Sequence, residues 1–147
     1  MRFVPDTRGE QIVLGSASFL GVTLATLLQG LGASALLDAW QPSGPVLSLA
    51  IVLFVVVGSQ FGIVALVTSA IAGGAVMGMA RMPMTDLDLV LSLQVGWCLS
   101  ATLSAYSGGT MLMARIIDRD PSVFRTWNLP WAIVCYALFA AIAWWRI

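Results

Sequence analysis

Two short groups of residues carry most of the binding chemistry available in the apolar middle of this chain. The first is G-S-Q-F-G, where Ser59 and Gln60 offer a hydroxyl and a carboxamide between Gly58 and Gly62; the second is S-G-G-T, made of Ser107, Gly108, Gly109 and Thr110. No charged residue stands between Trp40 and Ala80 or between Leu89 and Ala114. The chemistry on offer is therefore that of neutral oxygens, amides and helix ends. A helix start presents unpaired N–H groups and a partial positive charge, and unwound carbonyls can hold a cation. A charge-free region can thus still bind an anion or an ion pair. The chain has no histidine, which removes the commonest general base and the commonest metal ligand together. Cys98 and Cys135 lie 37 residues apart inside apolar runs, the wrong spacing for a metal site or a disulfide framework, and read as small packing residues. Asp86, Asp88, Asp118 and Asp120 stand where helix caps and loops are expected. No enzymatic chemistry, metal or cofactor is expected, apart from a coupling ion, sodium or proton.

The surroundings of these groups are those of a membrane protein. Of the 147 residues, 59% are hydrophobic and 10% charged, and the charges are clustered. Uncharged runs also cover residues 11–37 and 127–144, each near or above the ~20 residues a spanning helix needs. The first run exceeds the short apolar core of a cleaved signal and reads as a retained span. With net charge zero and no lysine, a nucleic-acid partner is not expected. Lipid is the expected surroundings.

The pattern predicts an all-α membrane protein in a single transmembrane domain, residues 11–147, behind a polar lead at residues 1–10. The expected elements are a span at about 11–37 closed by Trp40 as an interfacial anchor, an apolar region at 46–79, a helix at 86–115 broken at S-G-G-T, and a last span at 127–145 with tryptophans at both ends. Thr85 and Asp88 have the spacing of a capping box, and Asp120 with Pro121 that of a helix start. Region 46–79 would be about 50 Å long as one helix, too long for one ordinary crossing.

The arginines separate two ways of threading it. With a cytoplasmic amino terminus, a single crossing puts Arg2, Arg8, Arg81 and Arg146 inside against Arg115, Arg119 and Arg125. A hairpin turning at G-S-Q-F-G puts Arg2, Arg8, Arg115, Arg119 and Arg125 inside against Arg81 and Arg146, which suits the positive-inside rule better. Unwound backbone at membrane depth must be buried in protein or line a watery cavity, so a re-entrant tip would be a binding site. Gly58 and Gly62 would supply the turn. The same residues also form G-x-x-x-G, a helix-packing motif, and Ser107 and Thr110 can simply bond their own helix. Both readings stay open at the level of the letters.

The order of parts from about Pro45 onward resembles the carboxy-terminal repeat of the ion transporter superfamily, which includes the divalent-anion/sodium symporters and the arsenite and sodium/proton antiporter-like permeases. G-S-Q-F-G-I-V-A-L-V-T-S-A-I-A-G-G stands where that repeat has its hairpin tip and return. S-A-Y-S-G-G-T-M-L-M-A-R stands at its broken helix and F-R-T-W-N-L-P-W-A-I-V at its connector and final span. The resemblance implies that Ser59, Gln60 and Phe61 occupy the Ser-Asn-Thr positions of the first tip, and Ser107 to Thr110 those of the second break. Only the serine is identical in the first motif, Phe61 has no hydroxyl, and the second break has no proline.

The resemblance implies one half of a secondary transporter in an inner membrane, moving a small anion or metabolite with an ion gradient, and a second repeat as partner, in another chain or another copy. The alternative from another class is a small structural or assembly membrane protein whose glycines only pack helices. Replacing Gly58 or Gly109 by leucine would then disrupt association, while polar-to-alanine changes would do little.

Overall fold

The computed structural model describes residues 8–146, so Arg2 and most of the polar lead lie outside the described residues. All regular structure among the described residues is helical: α1 (Arg8–Gly30), α2 (Ala33–Trp40), α3 (Gly44–Gln60), α4 (Ala65–Met77), α5 (Asp86–Leu103), α6 (Gly108–Ile116) and α7 (Ser122–Arg146). Asp86–Ile116 and Ser122–Arg146 are long and apolar enough to cross a membrane, and Leu14–Gly30 with Ala33–Trp40 makes a third span if that bent pair counts as one. This is compatible with an integral membrane protein.

The expected single span at 11–37 is two helices bent by 63°. Gly32 sits at φ 83°, a left-handed conformation that costs glycine little and other residues more, and it ends α1 two residues after Gly30. The G-L-G at Gly30 to Gly32 is a local signal that the uninterrupted apolar pattern conceals. The 46–79 region does break at G-S-Q-F-G. Gly62 takes φ 79°, while the carbonyl of Gly58 receives the amides of Phe61 at 3.1 Å and Ile63 at 3.3 Å. Only Gly62 serves as a turn glycine; Gly58 stays inside α3.

Contacts fix the helix directions. Gly58 approaches Thr68, and Leu47 and Ile51 share a core with Ala72 and Val76, so α3 and α4 form an antiparallel hairpin. On α5, Ser92 bonds Ser48, Gly96 approaches Val52 and Val55, and Ser104 bonds the Ser59 carbonyl, so α5 runs parallel to α3. Gly21 approaches Val67 and Ala70 while Gly74 approaches Ala25, so α1 runs parallel to α4. Asn128 Nδ2 donates to the Thr102 carbonyl at 2.9 Å and Arg146 lies 3.8 Å from Asp88, so α7 returns antiparallel to α5. The starts of α3 and α5 and the ends of α4 and α7 therefore share one end of the bundle. The start of α1 and the 117–121 turn lie toward the other.

Helix α3 is the centre. It is apolar on every side; Val52 and Val55 are completely buried, while Leu53, Phe54 and Val57 on its outer side stay exposed. One side meets Ala72, Val76, Met84 and Leu89; the other meets Leu99, Leu103 and Ala132. Within a bilayer this enclosure stabilises through close van der Waals packing, because lipid chains are as apolar as the side chains they would replace. Cys135 packs beside the second cluster as expected of a small core residue, whereas Cys98 is exposed. Close approach of α3 and α5 rests on small residues at every fourth position of α5, namely Ser92, Gly96 and Ser100. A Cβ at Gly96 would stand 3.0 Å from that of Val55.

The loop before α5 carries the expected capping box: Thr85 Oγ1 accepts the Asp88 amide at 3.2 Å, and Asp88 Oδ2 accepts from the Thr85 amide and hydroxyl. Thr85→Ala should lower stability by about 1 kcal/mol. A thermal melt of detergent-purified protein checks it; an unchanged midpoint would mean that Asp88 holds the helix start without the threonine. At the start of α7, Asp120 Oδ1 accepts the Ser122 amide at 2.8 Å, and Ser122 holds the Asp120 carboxyl below the usual carboxylate range. Helix α7 begins five residues before the span expected at 127 and carries Pro130 inside it, where the missing N–H leaves one carbonyl of the preceding turn without its helical donor.

Candidate functional site

The hairpin tip and the break in the 86–115 region meet. Ser104, the residue at which α5 ends, donates its hydroxyl to the Ser59 carbonyl at 2.9 Å, and one turn earlier Ser100 donates to the Val55 carbonyl at 3.1 Å. Both serines are buried, so these bonds lock the end of α3 against the end of α5 with little competition from water. The break spans residues 104–107, three residues ahead of its expected place, and S-G-G-T forms the first turn of α6 instead of the interruption itself. A serine with a β-region backbone ends one helix and starts the next: Ser104 at ψ 125° and Ser107 at ψ 141°.

Between the tip and the break lies a cavity of about 490 Å³. Of the eight residues expected at the site, Ser59, Gly62, Ser107, Gly108 and Gly109 line it; Gly58, Gln60 and Thr110 do not. Gly58 faces Thr68 inside the hairpin, and a Cβ there would overlap Thr68 Cγ2. Gln60 turns back along its own helix, with Nε2 3.4 Å from the Val56 carbonyl and 3.3 Å from Ser59 Oγ. Thr110 is buried and bonds Ser107 at 2.8 Å, side chain to side chain, while its amide donates to Ser107 Oγ at 3.2 Å. Ser107 also donates to the Ala101 carbonyl at 2.8 Å. The hydroxyls of S-G-G-T are thus spent on capping, and its glycines are not packed: a Cβ at Gly108 or Gly109 would meet nothing within 4 Å.

Two helix starts add their amides to the polar groups of Ser59, Ser100, Ser104, Ser107 and Tyr106 along the cavity. Helix α4 begins beside it at Val64 and Ala65, with no side-chain cap, and α6 begins beside it at Ser107 and Gly108. Because α4 runs against α3, and α6 carries on the apolar span that α5 begins parallel to α3, the two starts face each other from opposite sides. Among the described residues, the amides of Ala65, Leu66, Gly108 and Gly109 have no hydrogen-bond acceptor. Each start carries the equivalent of roughly half a positive charge. No charged side chain lines the cavity, and Ile63, Val64, Trp97 and Tyr106 make much of its wall apolar or aromatic.

Ser100, Ser104, Trp97 and Tyr106 were not expected at the site. The available signal was the four-residue spacing of Ser92, Gly96, Ser100 and Ser104, which puts small and polar groups on one ridge of α5. Comparison with protein-family models, curated proteins and solved structures found no match to this chain.

Proposed function

We propose that this chain is one half of a secondary transporter that moves a small anion or metabolite across an inner membrane, coupled to a sodium or proton gradient. The observation that carries the reading is the pair of facing helix starts on one cavity, the uncapped one at Ala65 and the one at Gly108, where Ser107 caps only the Thr110 amide and leaves those of Gly108 and Gly109 open. Interrupted helices aimed at a common midplane site are the way charge-free membrane segments hold an anion. In this reading α3 and α4 are a re-entrant hairpin. Their 17 and 13 residues amount to about 25 and 20 Å, short of the ~30 Å hydrocarbon core. The shared end of the bundle then faces outward with Arg81 and Arg146, and the cytoplasmic side holds the amino terminus and the remaining five arginines.

A second repeat, from another chain or another copy, fits beside α6. That helix has α5 as its main neighbour and leaves Met111, Leu112, Met113 and Ile116 exposed, while its first turn lines the cavity. Movement of the hairpin tip relative to that partner would open the cavity to each side in turn. The structural-protein alternative draws on one observation, the Gly58–Thr68 approach, in which a G-x-x-x-G glycine does serve packing.

Side-specific labelling tests the threading. In a background without Cys98 and Cys135, single cysteines at Ser43 and Ala80, both exposed, should react from the outside of sealed cells, and one at Ile117 only after permeabilisation. Labelling of Ser43 and Ala80 from opposite sides would make the region a crossing and remove the cavity from the midplane. Uptake of labelled carboxylates and inorganic anions into cells expressing the chain tests transport by paired copies; uptake equal to that of empty cells for the whole panel would sink that form and require the second repeat to be a separate chain.

A further inference from the structure

A second cavity, of about 520 Å³, lies on the far side of α3 from the facing helix starts, in the angle opened by the bend between α1 and α2. Its wall includes Leu28, Leu37 and Trp40 on the bent pair, Ala50 and Phe54 on α3, and Ala75 on α4, and every lining side chain is apolar. A polar solute would lose its hydration there with nothing in exchange. A helix from another protein, about 10 Å across with its side chains, needs a broad trough and not a pocket of this volume. A flexible hydrocarbon chain meets both conditions.

The position says where such a chain would come from. Helix α2 turns 63° away from α1 at the bundle end that holds the starts of α3 and α5. It exposes Leu36 and Trp40, which is how a short helix lies along a membrane interface with an aromatic anchor. Asp38 of the same helix takes the Ala80 amide on both carboxylate oxygens at 3.2 Å, which fixes the next residue, Arg81, at the α2 end of the groove. Arg81 is exposed, and the ion pair found among the described residues joins Arg146 to Asp88 and leaves Arg81 out. A guanidinium at the interface beside a hydrocarbon slot matches the phosphate and the acyl chain of one lipid molecule.

We infer that this groove holds one acyl chain of a phospholipid whose phosphate sits at Arg81. The inference rests on the chain lying in a bilayer and is independent of transport. In vesicles containing a phospholipid with a photoactivatable acyl chain, irradiation and peptide mapping should give adducts concentrated on α2 and the facing part of α3. Exposed positions of α7 such as Trp131 and Leu138 report ordinary bilayer contact. Ala50→Trp, which fills the groove, should lower the groove adducts at least fivefold, and Arg81→Gln should lower them about threefold; the α7 adducts should stay constant in both. Each variant must elute as a single species, and Ala50→Leu serves where Ala50→Trp does not. Groove adducts no denser than those on α7, or unchanged by the filling variant, would overturn the inference while leaving the membrane location intact. Disulfide-linked dimers formed by single cysteines placed at Leu36 on α2, with no lipid adducts in the groove, would overturn it in favour of a second copy. The absence of adducts on α7 as well would remove the bilayer and the inference together.

Discussion

Gly58→Ala should destabilise the protein by about 1–3 kcal/mol, and Thr68→Ala should restore most of that loss. The added methyl has no room: it falls on Thr68 Cγ2. Thr68 cannot simply rotate away, because its hydroxyl donates to the Ala65 carbonyl at 3.1 Å and holds the rotamer in the first turn of α4. The hairpin must therefore open, and with it the contact between Ser104 and the Ser59 carbonyl that joins the tip to the end of α5. Removing the threonine methyl leaves only its Cβ position at 3.4 Å, an ordinary contact. Thr68→Ala alone should cost about 1 kcal/mol for the lost hydrogen bond. The full double-mutant cycle, measured by denaturant titration in one detergent, should show a coupling of at least ~1 kcal/mol. Additive effects would mean that the two helices already yield at this point.

Gly109→Leu should have the opposite profile, with the fold intact and the site lost. A Cβ at Gly109 meets nothing within 4 Å, and leucine exceeds glycine in helix propensity by up to about 1 kcal/mol, so the melting midpoint should hold or rise slightly. The side chain would instead enter the cavity and cover the uncapped amides at the start of α6. Anion uptake should fall by about tenfold or more, equivalent to at least ~1.4 kcal/mol. Gly15→Leu is the control, since that position in α1 is equally open and away from the cavity. Full uptake in a folded Gly109→Leu variant would take the α6 start out of the binding site. Loss of association with retained uptake would instead favour the packing role.

The helical class, the apolar stretches long enough to span a membrane and the start of α5 follow from residue order alone, because they depend on local quantities. Long uncharged stretches, the Thr85–Asp88 spacing and the Gly62 turn each act within a few residues of themselves. The break in the 46–79 region was legible for the same reason, and five of the eight residues expected at the site do line the cavity. Apolar periodicity concealed the bend at Gly32, since a run that is hydrophobic throughout shows no face and hides where its axis turns. Gln60 and Thr110 looked like site residues because a polar side chain in an apolar run invites that reading. Whether it faces a cavity or its own helix depends on the neighbour it finds, and both found backbone or side-chain partners nearby. Only the tertiary structure decided that Gly58 packs while Gly108 and Gly109 stand open. Four glycines that are chemically identical differ in what lies across from them: Thr68 for Gly58, the Tyr106 ring for Gly62, and open space for the other two. The facing helix starts belong to the same class. The direction of α4 relative to α6 is set by which helices pack parallel and which antiparallel, through contacts some 45 positions apart such as Ser59 with Ser104, and no local pattern encodes such a distance.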